Sequence, residues 1–293
     1  MKPTIIGTSV IGASHIRNNI ECQDSYLIID GKHRPDKDKR LYRMIPDNVK
    51  IIAVADGHGS ASCPYSKDGS RFAVNEFCDV MAQYVVRYRN DTQALKNLLQ
   101  NESECTYISK QIILGWQARV CDKHTDPHRG KTRDIPYTED NQIDQKAIWK
   151  QYGTTLLGLL ITNEYVFVFQ LGDGDIMFVD GNTIEHAIVG EKILGVETHS
   201  ISKPDSWKKV ITKVINQNNQ NEKPFMYILS TDGWVNSHAS EEDFQKTCRE
   251  YFNMIQQYGT DTIDKNIPAW LSETSEQGCG DDITVICAYF GDK

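Results

Sequence analysis

The chain has 293 residues, 39% of them hydrophobic and 25% charged, which is an ordinary composition for a globular protein with a substantial core. Its formal net charge of −8 argues against nonspecific nucleic-acid binding, because phosphate backbones require clustered lysine and arginine. The longest apolar stretch, Thr155 to Ile161, is too short to span a bilayer, so we expect no membrane partner.

The eight cysteines are scattered along the chain, and no two are separated by only two residues. This distribution indicates reduced thiols packed in a core rather than disulfides or a zinc site. The N-terminus lacks the long apolar segment of a secretory signal, so we expect a cytoplasmic protein. No linker and no internal repeat is visible, and we expect residues 1–293 to form a single domain.

The first half of the chain alternates apolar runs with polar turns and then becomes helical. Three strands are predicted, over 4–12, 25–29 and 51–55, with a polar turn between the first two. Apolar residues at helical spacing predict one helix over 66–88 and a second over 92–121. The polar stretch 101–105 is expected to break the second helix in two.

The second half begins with a polar segment, residues 122–144, predicted as a solvated loop that includes His124 and His128. A flap near the substrate is the alternative. Three short strands in an antiparallel meander are predicted next, over 156–161, 165–170 and 176–179. Later strands are predicted over 207–215, 225–229 and 283–290, and two helices over 240–255 and 260–273. This order favours two sheets flanked by helices.

The sequence Asp56-Gly57-His58-Gly59 directly follows the buried strand predicted over 51–55. A carboxylate there would sit on rigid scaffolding, and Gly57 has no side chain to shield its carbonyl from an ion. Mg²⁺ and Mn²⁺ prefer oxygen ligands of this kind. The alternative is an ordinary tight turn in which Asp56 is only a turn former.

Other aspartates stand in similar places. Asp173, Asp232 and Asp281 lie beside glycines at the ends or starts of predicted strands, and Asp24 precedes another strand. Clustered carboxylates repel one another unless cations neutralise them, so we expect two divalent ions. A binuclear site can lower the pKa of a bridging water for in-line attack on phosphorus. His58 is placed to protonate the departing alkoxide as a general acid.

Six short motifs occur in the order Gln23-Asp24, Asp56-Gly57-His58-Gly59, Gly153-Thr154-Thr155, Gly172-Asp173, Thr231-Asp232-Gly233-Trp234 and Asp281-Asp282-Ile283-Thr284. In this order they resemble the metal-dependent protein phosphatases of type 2C, over nearly the whole chain. Ser14-His15 and Cys22 look like a bacterial branch of that family. The resemblance implies an α+β fold, a four-layer α-β-β-α sandwich with two central, mostly antiparallel sheets.

The resemblance also implies a metal site. Asp56 would bridge two Mg²⁺ or Mn²⁺ ions, and the Gly57 carbonyl would ligate one of them. Asp232 and Asp281 would complete the shell of the other ion. Asp173 would help to hold a weaker third ion.

The catalytic roles follow from the same resemblance. Asp24 would order metal-bound water, and His58 would be the general acid. The family's phosphate-binding arginine lies five residues before the first aspartate, where this chain has Asn19. Arg17, or alternatively His15, is therefore expected to bind phosphate.

Three other positions depart from the family pattern. Gln23 replaces the usual glutamate before the first aspartate, and Gly174-Asp175 replaces Ser-Arg after the Gly-Asp turn. Asn236 replaces an aspartate often found four residues after Asp232. This last change puts the third ion in most doubt, whereas the binuclear core keeps its aspartates.

The resemblance implies a metal-dependent phosphatase that acts on phosphoserine and phosphothreonine proteins, with the opposing serine/threonine kinase as a candidate partner. Gln23 and Asn236 motivate an alternative, a phosphatase-like module that binds or regulates a partner with weak turnover or none. A hydrolase of small phosphoesters or nucleotides is a third reading, which only substrate profiling separates from the first.

Overall fold

A computed structural model describes residues 2–31, 40–126, 133–189, 199–217 and 223–291. Within these ranges the strands are β1 (Thr4–Val10), β2 (Ser25–Ile29), β3 (Lys50–Ala55), β4 (Leu156–Ile161), β5 (Tyr165–Leu171), β6 (Asp175–Asp180), β7 (Ile184–His186), β8 (Ile211–Asn216), β9 (Phe225–Ser230) and β10 (Ile283–Phe290). They form two five-stranded sheets, ordered β1-β10-β9-β6-β7 and β2-β3-β4-β5-β8. All the pairings described in both sheets are antiparallel.

The described helices are α1 (Ala13–Asn18), α2 (Ser66–Arg87), α3 (Thr92–Leu99), α4 (Glu102–Thr125), α5 (Gln145–Lys150), α6 (Asp232–Val235), α7 (Glu241–Tyr258) and α8 (Thr260–Gln277). Helix α2 lies on the β2-β3-β4 part of one sheet, with α4 against it. Helices α7 and α8 lie on the other sheet. The result is the predicted four-layer α-β-β-α sandwich.

Alternation of side chains along the strands builds three separate hydrophobic layers. In β3, Ile51 and Ala53 face the cluster formed with α2 and α4, whereas Ile52 and Val54 face the opposite sheet. Strand β9 alternates in the same way between the space between the sheets and the α7–α8 layer. Strands with apolar residues on both faces read as continuous apolar runs, which made them visible in the sequence.

Polar side chains define where several helices begin. Asn101 Oδ1 accepts a hydrogen bond from Glu104 N (3.2 Å), so α3 and α4 are separate helices, as predicted. Ser240 Oγ accepts a hydrogen bond from Asp243 N (3.1 Å) at the start of α7.

The predicted meander is wrong, because β6 pairs with β9 and β7 in the other sheet rather than with β5. Strands β4 and β5 are buried along their whole length, as is β6 except at its last residue, so periodicity could not assign a sheet. The turn through Gly172 (φ 110°) carries the chain from β5 in one sheet to β6 in the other. Gln170 Nε2 holds this turn by donating to the Gly174 carbonyl (2.9 Å).

The polar turn predicted after the first strand is instead the short helix α1. None of its residues is buried, so no apolar periodicity marked it. Its position depends on a distant segment, since Ser14 N and Ser14 Oγ both donate to the Gly280 carbonyl (2.8 and 2.6 Å). Helix α5, which begins directly after the polar segment, was also missed.

His124 is a further correction, because it lies in the last turn of α4 and is only 3% exposed. Its ring nitrogens contact the Tyr152 hydroxyl (3.2 Å) and the Asp134 carbonyl (3.1 Å). A buried histidine with two polar partners is a packed residue rather than part of a solvated loop. His128 lies outside the described residues. No described helix is long and apolar enough to cross a membrane.

Candidate active site

Strand register brings the first two predicted acids together. Ser25, the first residue of β2, pairs with Ala55, the last residue of β3. Asp24 and Asp56 therefore continue the two neighbouring strands at the same end of the sheet. The pairing alone places two carboxylates side by side, although 31 residues separate them in the chain.

The facing sheet contributes its acids at the same end. Thr231 N donates to the Thr284 carbonyl (3.1 Å), which extends the β9-β10 pairing to the point where Asp232 opens helix α6. Asp281 lies just before β10. A Cβ on Gly233 would stand 2.1 Å from the Asp282 carbonyl oxygen, so only glycine allows this close approach.

Asp24 is buried between the two sheets. Its Oδ2 accepts hydrogen bonds from Thr231 Oγ1 and Thr284 Oγ1, both at 2.8 Å. Burial and then the negative charge of Asp282 raise the pKa of Asp24 to about 8, although the two hydroxyl groups oppose the shift. Asp24 is thus held in one orientation and placed among other carboxylates.

Asp56 and Asp232 form the centre of the cluster, and they lie close enough for each carboxyl group to influence the pKa of the other. Burial, followed by the charges of Asp24 and Asp232, raises the pKa of Asp56 well above its usual range. The pKa of Asp232 is raised by burial and by the charges of Asp173 and Asp281. Such repulsion is the condition that a bound cation relieves.

The donor set fits divalent cations on a second ground. Asp232 Oδ1 is buried, and no described group donates a hydrogen bond to it. An orphaned carboxylate oxygen beside a second carboxyl group is a natural ligand for Mg²⁺ or Mn²⁺. Asn236 Nδ2 donates to the other oxygen, Oδ2 (3.0 Å). The asparagine that departs from the family pattern therefore orients Asp232 without adding a carboxylate.

The backbone of Asp56 is fixed by the Gly-Thr-Thr motif. Thr154 Oγ1 and Thr155 N donate to the Asp56 carbonyl (2.5 and 2.9 Å), and Thr155 Oγ1 accepts from Asp56 N (3.0 Å). Gly57 forms an isolated antiparallel β-bridge with Thr154. A Cβ on Gly57 would stand 2.7 Å from the Gln23 carbonyl oxygen. The motif thus positions the strand end that carries Asp56 and Gly57.

Asp282 is a buried carboxylate with several hydrogen-bond partners, and no role was assigned to it from the sequence. It accepts hydrogen bonds from Gly12 N (2.6 Å) and Gln23 N (2.7 Å) and lies 2.9 Å from His15 Nδ1. His15 Nε2 is 3.9 Å from Asp281, whose side chain is 52% exposed. Ligand atoms of His15, Asp281 and Asp282 lie within 4.8 Å of one another, so this group could itself bind a cation.

The two candidates for binding phosphate are placed differently. His15 is engaged with Asp282, whereas the Arg17 side chain is exposed and makes no hydrogen bond or ion pair with the rest of the described chain. Arg17 Nη2 would be 3.5 Å from a Cβ on Gly280, next to Asp281. A guanidinium group beside the acids is available to a phosphate. Asn19, at the family's usual arginine position, has a left-handed backbone (φ 53°) at the end of α1.

His58 lies two residues beyond Asp56, and its N–H donates to the Gly153 carbonyl (3.1 Å). A Cβ on Gly153 would stand 2.6 Å from His58 Cδ2, so the ring lies directly on this glycine. Asp173, predicted at a third ion site, is half-buried and close enough to Asp232 to raise its pKa. The structure therefore brings Asp24, Asp56, Asp232, Asp281 and Asp173 together beside His58.

The sequence missed the groups that hold this cluster. One sequence signal could have identified these groups. Each of Asp282, Thr231 and Thr284 lies inside a motif that was recognised from its neighbouring residues. Gln23 was noted only as a weakened ligand, but its side-chain Oε1 is buried without a described partner and would be 2.6 Å from a Cβ on Gly59. Gly59 (φ 55°) lies in the left-handed region, where a side chain would be strained.

Comparison with known families matches residues 11–272 to the protein phosphatase 2C family. The chain belongs to this family. None of the curated proteins compared with the chain matches it.

Solved structures of phosphatases share the protein phosphatase 2C fold with this chain. A bacterial serine phosphatase is 13% identical, with 99% of each chain covered and a TM-score of 0.59. The serine/threonine phosphatase Stp1 from Staphylococcus aureus is 12% identical, with 100% of this chain and 96% of that chain covered and a TM-score of 0.57. The catalytic domain of the serine/threonine protein phosphatase PstP, in complex with two manganese ions, is 10% identical, with 99% of each chain covered and a TM-score of 0.53.

Proposed function

We propose that this member of the protein phosphatase 2C family is a Mg²⁺- or Mn²⁺-dependent phosphatase of phosphoserine and phosphothreonine residues in proteins. The observation that carries the proposal is the buried cluster of Asp56 and Asp232 near His58, in which Asp232 Oδ1 is buried and has no described hydrogen-bond partner. Such a cluster is unfavourable without cations and suited to holding them. Membership of the family, and the two manganese ions bound to PstP, support the same assignment.

Two ions would be held by Asp56, the Gly57 carbonyl, Asp232 and Asp281, and a weaker third would involve Asp173. When bound, these ions neutralise phosphate charge and make a water molecule a better nucleophile at neutral pH. The Thr154 and Thr155 contacts keep the Asp56 strand end in place, so the ligands are preorganised.

The chain's own residues supply the remaining parts of the reaction. Asp24, fixed by two threonine hydroxyl groups, orients water at the site. Arg17, beside Gly280, binds the phosphoryl oxygens. His58 donates a proton to the serine or threonine oxygen as it departs. An alkoxide is a poor leaving group, so it needs this general acid catalysis.

Turnover by the purified protein tests this proposal directly. A phosphothreonine peptide and p-nitrophenyl phosphate would be assayed with Mn²⁺, with Mg²⁺ and with chelator, alongside a nucleoside monophosphate. We expect turnover of the peptide only with metal, and a peptide kcat/KM above that of the nucleotide. A higher value for the nucleotide would assign the site to small phosphoesters instead.

A binding or regulatory module is the second candidate, because Asn236 and Gln23 replace two acidic groups of the family pattern. A folded protein without turnover under either metal, combined with binding of a phosphopeptide in calorimetry, would support it. In that case reversion of Gln23 and Asn236 to acids should restore hydrolysis.

A further inference from the structure

A cavity of about 440 Å³ opens beside His58. Its walls come from three separate parts of the chain: the loop after β3, helix α5 and the segment 200–204. Three of the lining residues are lysines, Lys146, Lys150 and Lys203, and four are serines. None of the described lining residues is acidic. The cavity is thus basic and rich in hydroxyl groups.

Backbone contacts fix these walls to the candidate active site. Cys63 Sγ donates to the Lys150 carbonyl (3.1 Å), which joins the loop after β3 to the end of α5. Ile201 N donates to the Thr154 carbonyl (2.9 Å), which joins the third wall to the motif that holds Asp56. The lysine side chains therefore extend from backbone that is positioned relative to His58.

The charge of the cavity differs from that of the whole molecule. The chain carries a formal net charge of −8, which on average repels anionic peptides. Lys146 and Lys150 are exposed and form no ion pair with any described residue. No described carboxylate lines the cavity, so no acidic group among the described lining residues neutralises these two charges. The cavity is therefore a local site at which this otherwise acidic protein would attract an anion.

The position of His58 indicates which part of a substrate reaches the cavity. If His58 protonates the departing serine or threonine oxygen, the peptide chain attached to that oxygen lies on the His58 side of the cluster. His58 also lines the cavity, so residues next to the phosphorylated one would enter it. A volume of about 440 Å³ is ample for one phosphorylated or carboxylate side chain.

We propose that this cavity binds an anionic side chain of the substrate, a second phosphate or a carboxylate, close in sequence to the phosphoresidue that is hydrolysed. Lys146, Lys150 and Lys203 supply the positive charge, and the serine hydroxyl groups donate hydrogen bonds. The inference rests on the proposed phosphatase function, and it names the substrate class of that site.

Phosphothreonine peptides with different flanking residues test the inference. One series would carry a glutamate, a phosphoserine, a lysine or a glutamine at roughly one to four residues on either side, the span of a short extended segment. We expect the anionic flanks to raise kcat/KM by about three- to tenfold over glutamine, mainly through a lower KM. The gain is limited because a partly exposed ion pair contributes little binding free energy. A larger gain for phosphoserine than for glutamate would identify phosphate as the preferred group.

Charge variants locate the effect. In Lys146→Gln/Lys150→Gln the preference ratio between anionic and neutral flanks should fall toward one, and in Lys146→Glu/Lys150→Glu it should turn in favour of lysine flanks. Lys246→Gln, at an exposed lysine of α7 outside the cavity, is the matched control and should keep the wild-type ratio. Thermal unfolding would check that every variant is folded.

The failures are distinguishable. Equal kcat/KM for all flanks, in wild-type protein that hydrolyses p-nitrophenyl phosphate, would overturn this inference and leave the phosphatase assignment standing. A preference that survives in both double variants, or that is lost equally in Lys246→Gln, would also overturn it. Absence of turnover on every substrate with either metal would overturn the phosphatase function and the inference together.

Discussion

At the scale of single residues, the role of His58 has a kinetic signature. A general acid matters when the leaving group is a poor one, such as a threonine alkoxide, and matters little for p-nitrophenolate, which departs without a proton. We expect His58→Gln to lower kcat on a phosphothreonine peptide by about a hundredfold and kcat on p-nitrophenyl phosphate far less. Steady-state kinetics on both substrates would measure the split. Equal losses on both would contradict the assignment.

His186, the last residue of β7, predicts a pH dependence of stability. Its Nδ1 is 3.3 Å from the buried Asp175, and its Nε2 is 2.9 Å from Glu241. The hydrogen bond with Asp175 is the largest cause of a pKa raised above the usual 6.5. Since the folded pKa exceeds the unfolded one, the stabilisation is complete below about pH 6.5 and is lost as pH rises through the folded pKa.

Urea unfolding from pH 5.5 to 9 would measure this contribution. We expect wild type to exceed His186→Gln by at most about 1 kcal/mol at the acidic end, because the site is partly solvated, and the difference should shrink as pH rises. A difference that is constant or that grows with pH would contradict the ion-pair account.

At the scale of elements, close backbone approach joins helix α2 to the Gly-Thr-Thr motif. A Cβ on Gly69 would stand 1.9 Å from the Tyr152 carbonyl oxygen. Gly69→Ala must therefore push α2 away from the segment that holds Asp56. We expect a loss of about 1–3 kcal/mol in the free energy of unfolding, despite the better helix propensity of alanine.

Gly181 offers the matched control, because no atom lies within 4 Å of a Cβ placed there. Gly181→Ala should change the free energy of unfolding by no more than about 0.5 kcal/mol. Chemical denaturation of both variants makes the comparison. Similar stabilities for the two would show that α2 accommodates the methyl group by moving, and would contradict tight packing at Gly69.

The sequence predicted the elements whose pattern is local. Buried strands such as 51–55 were visible because both faces are apolar, and acids at their ends could be proposed as ligands. The sheet to which β6 belongs was not predictable, because its burial pattern is the same in either sheet. Helix α1 was missed because it buries no side chain, and its contacts come from Gly280.

The site shows the same division. Asp56 and Asp232 were proposed from their motifs, and the structure places them close enough for Asp232 to raise the pKa of Asp56. The hydrogen bonds of Thr231 and Thr284 to Asp24 depend on the β9-β10 pairing and on the packing of two sheets. The lysines of the cavity come from positions 146, 150 and 203, and no local pattern connects them.

At the scale of the whole molecule, two sheets from distant parts of the chain meet at one end and crowd five aspartates together. In isolation such an arrangement costs stability, because charged carboxylates with raised pKa values favour unfolding as pH rises above their unfolded values. Holding cations is what would offset this cost. Asp56, which lies at the centre of the cluster, is therefore the residue on which metal binding and the chemistry should depend most.

The most direct test is metal-dependent hydrolysis of a phosphothreonine peptide by wild type, Asp56→Asn and Asp140→Asn, the last an exposed aspartate in a turn. The account predicts turnover with Mn²⁺ or Mg²⁺ in wild type and in Asp140→Asn, and a loss of at least about a thousandfold in a folded Asp56→Asn protein. Near-normal turnover in Asp56→Asn would contradict the account.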